Sequence, residues 1–266
     1  MTVTDKLKGL MTAAALAAAT MTAAPAAAAD LSDILSEGTI SIGVPEDFPP
    51  FGSLGASGEY EGYDVSVANM IAEAMGVELD LVPISSDQRI PYLETDRLDL
   101  VISSMGANPE RAKSIWFSSA YAPFYSGAFA SDDKEISSVD DLAGYSVGLT
   151  GGTLEDLALT DMVSDETEII RFGDNAATLA AYVSGQVDVL VTGNVVAASL
   201  SESNPDLSVD TKFILRDSPC FIGIKQGNAD LLRWVNVFIL TNTLNGELNT
   251  LSEEWFGQPL PPLPTL

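Results

Sequence analysis

The composition of this 266-residue chain is strongly acidic, with 12 lysine and arginine residues against 38 aspartate and glutamate residues and a formal net charge of −26. This charge excludes a nucleic-acid binder, because the chain has too few cations to neutralise a row of phosphates. It has no histidine and one cysteine, Cys220, which excludes imidazole bases, histidine zinc sites, Ser-His-Asp and Cys-His catalysis and an internal disulfide. Hydrophobic residues make up 46% of the sequence, so we expect a folded protein with a core.

The first 29 residues have the pattern of a secretory signal peptide. Lys6 and Lys8 precede an alanine-rich apolar run, and small residues at 27–29 form a cleavage pattern before Asp30. A membrane anchor is the alternative, but a span needs about 20 strongly apolar residues, whereas this run is largely alanine and threonine. We therefore predict a mature protein that begins at Asp30 and is located in a bacterial periplasm.

The hydrophobic period then alternates along the chain between that of strands and that of helices. Residues 39–44 alternate as a strand, residues 63–75 carry apolar side chains at helical spacing, and residues 78–84 return to the strand pattern. The same alternation recurs as far as residue 192. It predicts an α/β fold with mixed, mostly parallel sheets.

The length after residue 29 exceeds one typical domain core and predicts two lobes. The aromatic, strand-prone stretches 124–129 and 219–224 are the predicted junctions between them. If both are crossover strands, the first lobe takes residues 30–125 and 222–266, and the second takes residues 126–221.

Arg111 is the first candidate for ligand binding. It follows the buried strand pattern of residues 98–103, and ligands of open α/β sheets bind outside the carboxyl ends of strands. Its guanidinium group can clamp a carboxylate with two parallel hydrogen bonds. A surface ion pair is the alternative interpretation of Arg111 taken alone.

Residues 148–153 form a glycine-rich loop between a predicted strand and a predicted helix. Its N–H groups can hold an anion at the positive end of the helix dipole. A Walker phosphate loop is excluded, because the Gly-Lys-Ser/Thr ending is missing and Glu155 and Asp156 would repel a polyphosphate. A carboxylate fits the loop, although a plain strand-to-helix turn would also need glycine. Phe48 offers an apolar wall and Arg89 a second cation.

Together these segments resemble the polar amino-acid-binding proteins of ABC transporters. The likeness covers essentially the whole chain after residue 29 and is carried by residues 38–51, 61–67, 87–93, 98–100, 108–111, 117–118, 150–153, 184–188 and 254–257. It implies a periplasmic receptor with the type II two-lobed fold and two crossover hinge strands. Such a receptor closes on one small ligand and docks on a membrane permease. We expect a monomer that needs no cofactor and no metal.

The resemblance also implies roles for individual residues. Arg111 would clamp the ligand α-carboxylate, Arg89 would contact a side-chain carboxylate, and Phe48 would pack on the ligand. Serine and glycine residues would offer hydroxyl and backbone groups to the same ligand. The predicted ligand-binding set is Phe48, Ser86, Arg89, Ser104, Met105, Gly106, Arg111, Thr150, Gly152, Thr153, Gly193 and Asn194.

One departure from the family bears on the nature of the ligand. The family usually has an acidic residue, five positions after the Asp of a Gly-x-x-Asp motif, that pairs with the ligand ammonium. Five positions after Asp188 this chain has Gly193, followed by Asn194. An unpaired buried ammonium would be costly. Three alternatives stay open: Asn194 and carbonyl groups suffice, another acid reaches in, or the ligand is not a standard α-amino acid.

The sequence therefore predicts a receptor for a small carboxylate-bearing solute, foremost a polar or acidic amino acid. A receptor for another organic acid is one alternative. A periplasmic enzyme is a second, because dehydratases resemble this fold and fold does not settle function, but no pair of acids stands out for acid–base chemistry. A sensory input domain is a third, which would need a transmembrane helix after the lobes.

Overall fold

The computed structural model describes residues 30–265. The predicted signal peptide, residues 1–29, lies outside the described residues. Within residues 30–265, the helices are all too short or too polar to cross a membrane.

The first lobe is built on five strands: β1 (Thr39–Pro45), β5 (Glu78–Ile84), β6 (Leu100–Val101), β7 (Ile115–Ala122) and β13 (Cys220–Lys225). They pair in the order β5-β1-β6-β13-β7. Strand β1 is parallel to β5 and β6, and β13 is antiparallel to β6 and β7. The helices of this lobe are α1 (Leu31–Glu37), α2 (Tyr63–Met75), α3 (Arg89–Glu94), α7 (Ala229–Leu244) and α8 (Glu247–Phe256).

A small antiparallel sheet lies beside the first one. Its strands are β2 (Asp47–Phe48), β3 (Gly52–Leu54) and β4 (Tyr60–Glu61). Because β2 follows β1 almost directly, the small sheet carries Phe48 at the carboxyl end of a central strand of the first sheet.

The second lobe is built on β8 (Tyr125–Ala130), β9 (Ser146–Thr150), β10 (Glu168–Phe172), β11 (Val189–Gly193) and β12 (Asp210–Asp217). They pair in the order β10-β9-β11-β8-β12. Strand β9 is parallel to β10 and β11, and β8 is antiparallel to β11 and β12. The helices are α4 (Leu154–Thr160), α5 (Asn175–Val183) and α6 (Asn194–Ser203). This arrangement confirms the predicted α/β fold with two lobes and mixed sheets. The sheets are not mostly parallel as predicted, because within residues 30–265 each has two parallel and two antiparallel pairings.

The chain passes between the two sheets twice, through very short connections. Strand β7 ends at Ala122 and β8 begins at Tyr125, and on the return β12 ends at Asp217 and β13 begins at Cys220. The two connections lie side by side, because the Ser218 N–H donates to the Phe124 carbonyl at 3.0 Å.

The strand pairing assigns the residues at these crossings to one sheet or the other. Tyr125 pairs with Asp217 in the second sheet, and Cys220 pairs with Ala122 in the first. The lobe boundaries after residues 125 and 221 stay predictions that lie within a few residues of these crossings.

Each lobe has its own apolar core against its sheet. In the first lobe, α2 presents Tyr63, Val67 and Ile71, spaced four residues apart and fully buried, toward the strands. Burial of each such side chain contributes about 1.5–3 kcal/mol. These rigid cores bring the carboxyl ends of the parallel strands from both lobes to a common cleft.

Candidate functional site

A cleft between the two lobes collects polar side chains from both of them. It is lined by Phe48, Ser86, Arg89, Ser104, Gly106, Arg111, Phe124, Thr153, Leu154, Glu155, Asn175 and Ser218. The cavity measures about 30 Å³, enough for only a few water molecules. The lobes are therefore closed on each other, and a ligand enters only when they separate.

Arg111 connects the two lobes at the centre of the cleft. Its Nη1 donates to the Gly106 carbonyl at 2.9 Å and its Nη2 donates to the Gly152 carbonyl of the second lobe at 3.0 Å. Its own N–H is held by Asn108 Oδ1 at 2.8 Å. A guanidinium has five N–H groups, so three of them are without an acceptor among residues 30–265.

The side chain of Arg111 is 8% exposed. This burial, together with the charge of nearby Arg89, lowers the pKa of Arg111 to about 9. The group is still cationic at neutral pH and can bind a carboxylate in two-point geometry.

Arg89 is the second buried cation of the cleft. Its Nε donates to the Ser86 carbonyl at 2.8 Å and its Nη1 donates to the Ser103 carbonyl at 3.0 Å. It therefore ties the segment after β5 to the segment after β6. Burial lowers the pKa of Arg89, and the negative charge of Glu155 opposes that shift.

Ser104 has an unusual backbone conformation, with φ at +42°, which costs free energy for a residue other than glycine. Its N–H donates to Asp64 Oδ2 at 2.7 Å, and Tyr121 Oη donates to Asp64 Oδ1 at 2.6 Å. The Ser104 N–H, which was predicted to contact the ligand, thus donates to Asp64 within the first lobe. Ser104 itself lines the cleft.

Two aromatic rings form one wall of the cleft. The Phe48 ring lies 5.9 Å from the Phe51 ring in stacked geometry and 6.5 Å from the Phe124 ring. Phe51 is fully buried, so Phe48 is supported from behind and presents its other side to the cleft.

Several predicted residues do not line the cleft. Met105 is fully buried in the first-lobe core, because it points away from the face that Ser104 and Gly106 share. The Thr150 hydroxyl donates to Asn175 Oδ1 at 2.9 Å. It fixes the start of α5 and does not line the cleft.

The end of β11 also differs from the prediction. A Cβ at Gly193 would lie 2.1 Å from the Phe124 ring, so the ring fills the space that a side chain would occupy. Asn194 Oδ1 accepts the Tyr125 N–H at 3.0 Å, and Asn194 lines a separate groove. Gly152 contributes its carbonyl to Arg111, not a surface to the cavity.

Comparison with known proteins decides the family. The family model of the bacterial extracellular solute-binding proteins, family 3, matches residues 40–258. The chain belongs to this family.

Relatives of this family 3 protein are named for amino acids. The L-cystine-binding protein TcyJ of Escherichia coli (strain K12) is 29% identical over 229 residues, which cover 85% of this chain and 86% of that protein. The ABC transporter arginine-binding protein 1 of the same organism is 27% identical over 224 residues, 82% of this chain and 91% of the relative. Both names are those of binding proteins, and the second is that of a binding protein of an ABC transporter, in agreement with the prediction of a binding protein rather than an enzyme.

Solved structures have the same fold as this family 3 protein. A mutant of the arginine-binding protein of T. maritima superimposes with a TM-score of 0.79 at 28% identity and covers 86% of this chain and 99% of that chain. An ancestral amino acid-binding protein, described as a precursor of cyclohexadienyl dehydratase, gives a TM-score of 0.78 at 31% identity over 85% and 99%.

The family 3 cleft includes residues that the sequence analysis did not select: Phe124, Leu154, Glu155, Asn175 and Ser218. Phe124 and Ser218 lie in the two crossings, where only the fold brings them together. Glu155 could have been selected from the sequence, because it stands in the first turn of the helix that follows the predicted anion-binding loop. An acid that would repel a polyphosphate at this loop must lie close to whatever the loop binds.

Further hydrogen bonds cross the cleft. Asp47 of the first lobe accepts the Ala176 N–H at 2.8 Å and the Asn175 Nδ2 at 3.1 Å. Arg216 Nη2 of the second lobe donates to the Ala107 carbonyl at 3.2 Å. The closed arrangement is therefore held at several points around the ligand cleft.

A larger groove of about 1060 Å³ lies on the first lobe, between α7 and the C-terminal segment. Its lining is mainly apolar, and its one arginine, Arg233, is exposed. Within residues 30–265, no group of three or more cysteine, aspartate or glutamate side chains is placed to hold a metal ion. The interlobe cleft, which two buried arginines line, is the candidate ligand site.

Proposed function

We propose that this chain is the receptor of an ABC importer and binds a small carboxylate-bearing solute, a polar or acidic amino acid, between its two lobes. Membership of the family and the names of the relatives, which include cystine-, arginine- and glutamine-binding proteins, support this proposal. A periplasmic location and docking on a membrane permease follow from the same function.

The observation that carries the proposal is the position of Arg111. Its guanidinium contacts Gly106 in the first lobe and Gly152 in the second, and three of its N–H groups remain for a ligand. A carboxylate bound there contacts a group that both lobes hold. Binding at this point therefore favours the closed state over the open one.

The remaining groups of the cleft suit a small polar ligand. Ser86, Ser104 and Ser218 line the cavity, and Phe48 gives an apolar surface. Closure removes water from around these groups, which strengthens each charged contact. The buried arginines are also needed because the acidic charge of the whole chain slows the approach of an anion.

The hinge is provided by the paired crossings at residues 123–124 and 218–219. Only two short, adjacent segments join the lobes, so a change in a few backbone dihedral angles opens or closes the cleft. The ligand enters the open form and is enclosed when the lobes return.

Replacement of Arg111 tests the proposed function. Arg111→Ala should weaken binding of the preferred ligand by at least about 30-fold, because truncating one partner of a buried, hydrogen-bonded charge pair costs about 2–5 kcal/mol. The measurement is a thermal-shift panel of polar and acidic amino acids on refolded, ligand-stripped protein. A ligand at 100 times its Kd stabilises the fold by about 2.7 kcal/mol, and about 2–4 °C accompanies each kcal/mol at this size.

The matched control is Arg97→Ala. Arg97 stacks on the Tyr92 ring at 3.7 Å outside the cleft, so this variant loses the same charge and should keep the ligand shift. Tight binding by Arg111→Ala, or a wild-type protein that responds to no member of the panel, contradicts the proposal.

A further inference from the structure

Glu155 is a buried carboxylate of the cleft with no cation in contact. It lies in the first turn of α4 and is 8% exposed. None of the ion pairs within 4.0 Å in residues 30–265 includes it, and no donor of these residues hydrogen-bonds its carboxylate. The next residue, Asp156, differs: it accepts the Gly152 N–H at 3.1 Å and pairs with Arg171 Nε at 2.8 Å.

The two arginines of the cleft are near Glu155 but do not satisfy it. The charge of Glu155 raises the pKa of both Arg89 and Arg111, against the larger lowering caused by burial. The groups therefore interact through space across the cavity that they line. A buried carboxylate without a contacting cation is costly, so this arrangement suits a ligand that brings a positive charge as well as a negative one.

Two other acids near the cleft, Asp64 and Asp47, already accept hydrogen bonds. Asp64 is fully buried and accepts hydrogen bonds from Ser104 and Tyr121. Asp47 accepts two hydrogen bonds from the start of α5. Among the residues that line the cavity, the one carboxylate belongs to Glu155.

The end of β11 supplies no negative charge. Gly193 has no side chain, and the Phe124 ring occupies the adjacent space. The Asn194 side chain is bonded to Tyr125 and lies outside the cavity. A ligand cation inside the cavity thus finds its counter-charge on α4 of the second lobe.

We infer that Glu155 binds the ammonium group of an amino-acid ligand whose carboxylate is held by Arg111; this inference rests on the proposed function. The carboxylate contacts Arg111 and the ammonium contacts the first turn of α4, so one small ligand joins charges from both lobes. A deaminated acid with the same carbon skeleton lacks the ammonium group and leaves the carboxylate of Glu155 without a counter-charge. The site therefore selects amino acids over the corresponding organic acids.

The test compares ligand pairs in wild type, Glu155→Gln and Asp161→Asn by calorimetric titration. Each amino acid is paired with its deaminated analogue, for example glutamate with glutarate and aspartate with succinate. Glutamine keeps the size of the side chain and removes its charge. Asp161 follows α4 and is exposed, so Asp161→Asn changes the net charge equally outside the cleft.

Wild type and Asp161→Asn should bind the amino acid at least tenfold more tightly than its analogue. Glu155→Gln should reduce this preference at least tenfold, mainly through weaker binding of the amino acid, and bind the analogue no less tightly than wild type. Glu155→Asp, which keeps the charge but shortens the side chain, should have an intermediate preference.

Two results overturn the inference. An unchanged preference in Glu155→Gln shows that the ammonium is bound elsewhere, while the proposed function stands if Arg111→Ala still loses the ligand. A wild type that prefers deaminated acids, or binds neither member of any pair, rejects the ammonium site. Either of these wild-type results also contradicts the proposed function as an amino-acid receptor.

Discussion

Arg89 combines a structural role with a place in the proposed ligand site. It donates to the carbonyls of Ser86 and Ser103 and also lines the cavity. Arg111 and Glu155 together match a zwitterion, so the charge of Arg89 is left for a second negative group. If the proposed site binds an amino acid, this charge balance predicts a preference for acidic side chains over neutral ones.

The variant Arg89→Gln tests whether the charge of Arg89 binds a second negative group of the ligand. We expect the free energy of unfolding to fall by about 1–3 kcal/mol, because two buried carbonyls lose a charged donor. We also expect glutamate to lose more affinity than glutamine does. Urea unfolding and parallel titrations measure the two effects, with Arg97→Gln as the control.

If the ratio of glutamate to glutamine affinity in Arg89→Gln equals that of wild type, Arg89 has only its structural role. Loss of stability without a change in ratio would give the same conclusion.

The cleft residues that could be predicted from the sequence follow the carboxyl ends of strands. Arg111, Arg89 and Phe48 all follow strands of the first sheet, so topology and the family resemblance bring them to one cleft. Glu155 was harder to assign, because successive residues of a helix are turned by about 100° and face different surroundings. Glu155 faces the cavity while Asp156 faces Gly152 and Arg171, and this rotation is fixed only by tertiary packing.

The N-terminal end of helix α5 forms a contact between the lobes. Asp47 in β2 accepts hydrogen bonds from Asn175 and Ala176 at the first turn of that helix. A carboxylate at this end also interacts favourably with the helix dipole. These contacts exist only while the lobes are closed.

Asp47→Ala should therefore weaken ligand binding by about tenfold, equivalent to about 1.4 kcal/mol, by destabilising the closed state. The free energy of unfolding of the ligand-free protein should change little. Titration calorimetry and chemical unfolding give the two quantities. Glu59→Ala, an exposed acid in the turn between β3 and β4, is the control, and equal affinities for the two variants would contradict the role of Asp47.

The elements themselves were largely predictable. The strands at 39–44 and 78–84 and the helix at 63–75 match β1, β5 and α2 closely, because burial against a sheet gives each a distinct hydrophobic period. The sequence around Gly193 did not predict that a ring from another segment fills the space beside it. It depends on Phe124, about seventy positions away, whose ring meets β11 only after the sheets assemble.

Closure of the whole molecule brings Leu154 of the second lobe and Ser218 of a crossing close to Gly106 of the first lobe. A Cβ there would lie 2.2 Å from Ser218 Oγ and 2.5 Å from Leu154 Cδ1. Leu154 belongs to the second lobe, and Ser218 lies in a crossing. A side chain at residue 106 would hold the lobes apart.

Gly106→Val should fold normally and bind ligand at least tenfold more weakly, because the closed state is blocked. With saturating ligand, small-angle scattering should give this variant a larger radius of gyration than wild type. Gly173→Val is the control, since no atom lies within 4 Å of a Cβ at that exposed glycine. A Gly106→Val protein that closes as compactly as wild type would show that the contact is not limiting.

Arg111 and Glu155 together are proposed to hold a small amino acid between the lobes. A crystal structure of ligand-stripped protein soaked or grown with the preferred member of the amino-acid panel tests this arrangement most directly. We predict ligand carboxylate oxygens within about 3 Å of the Arg111 guanidinium, the ammonium at a similar distance from Glu155, and both lobes in contact with the ligand. A ligand bound on one lobe alone, or in the groove beside α7, would contradict the account.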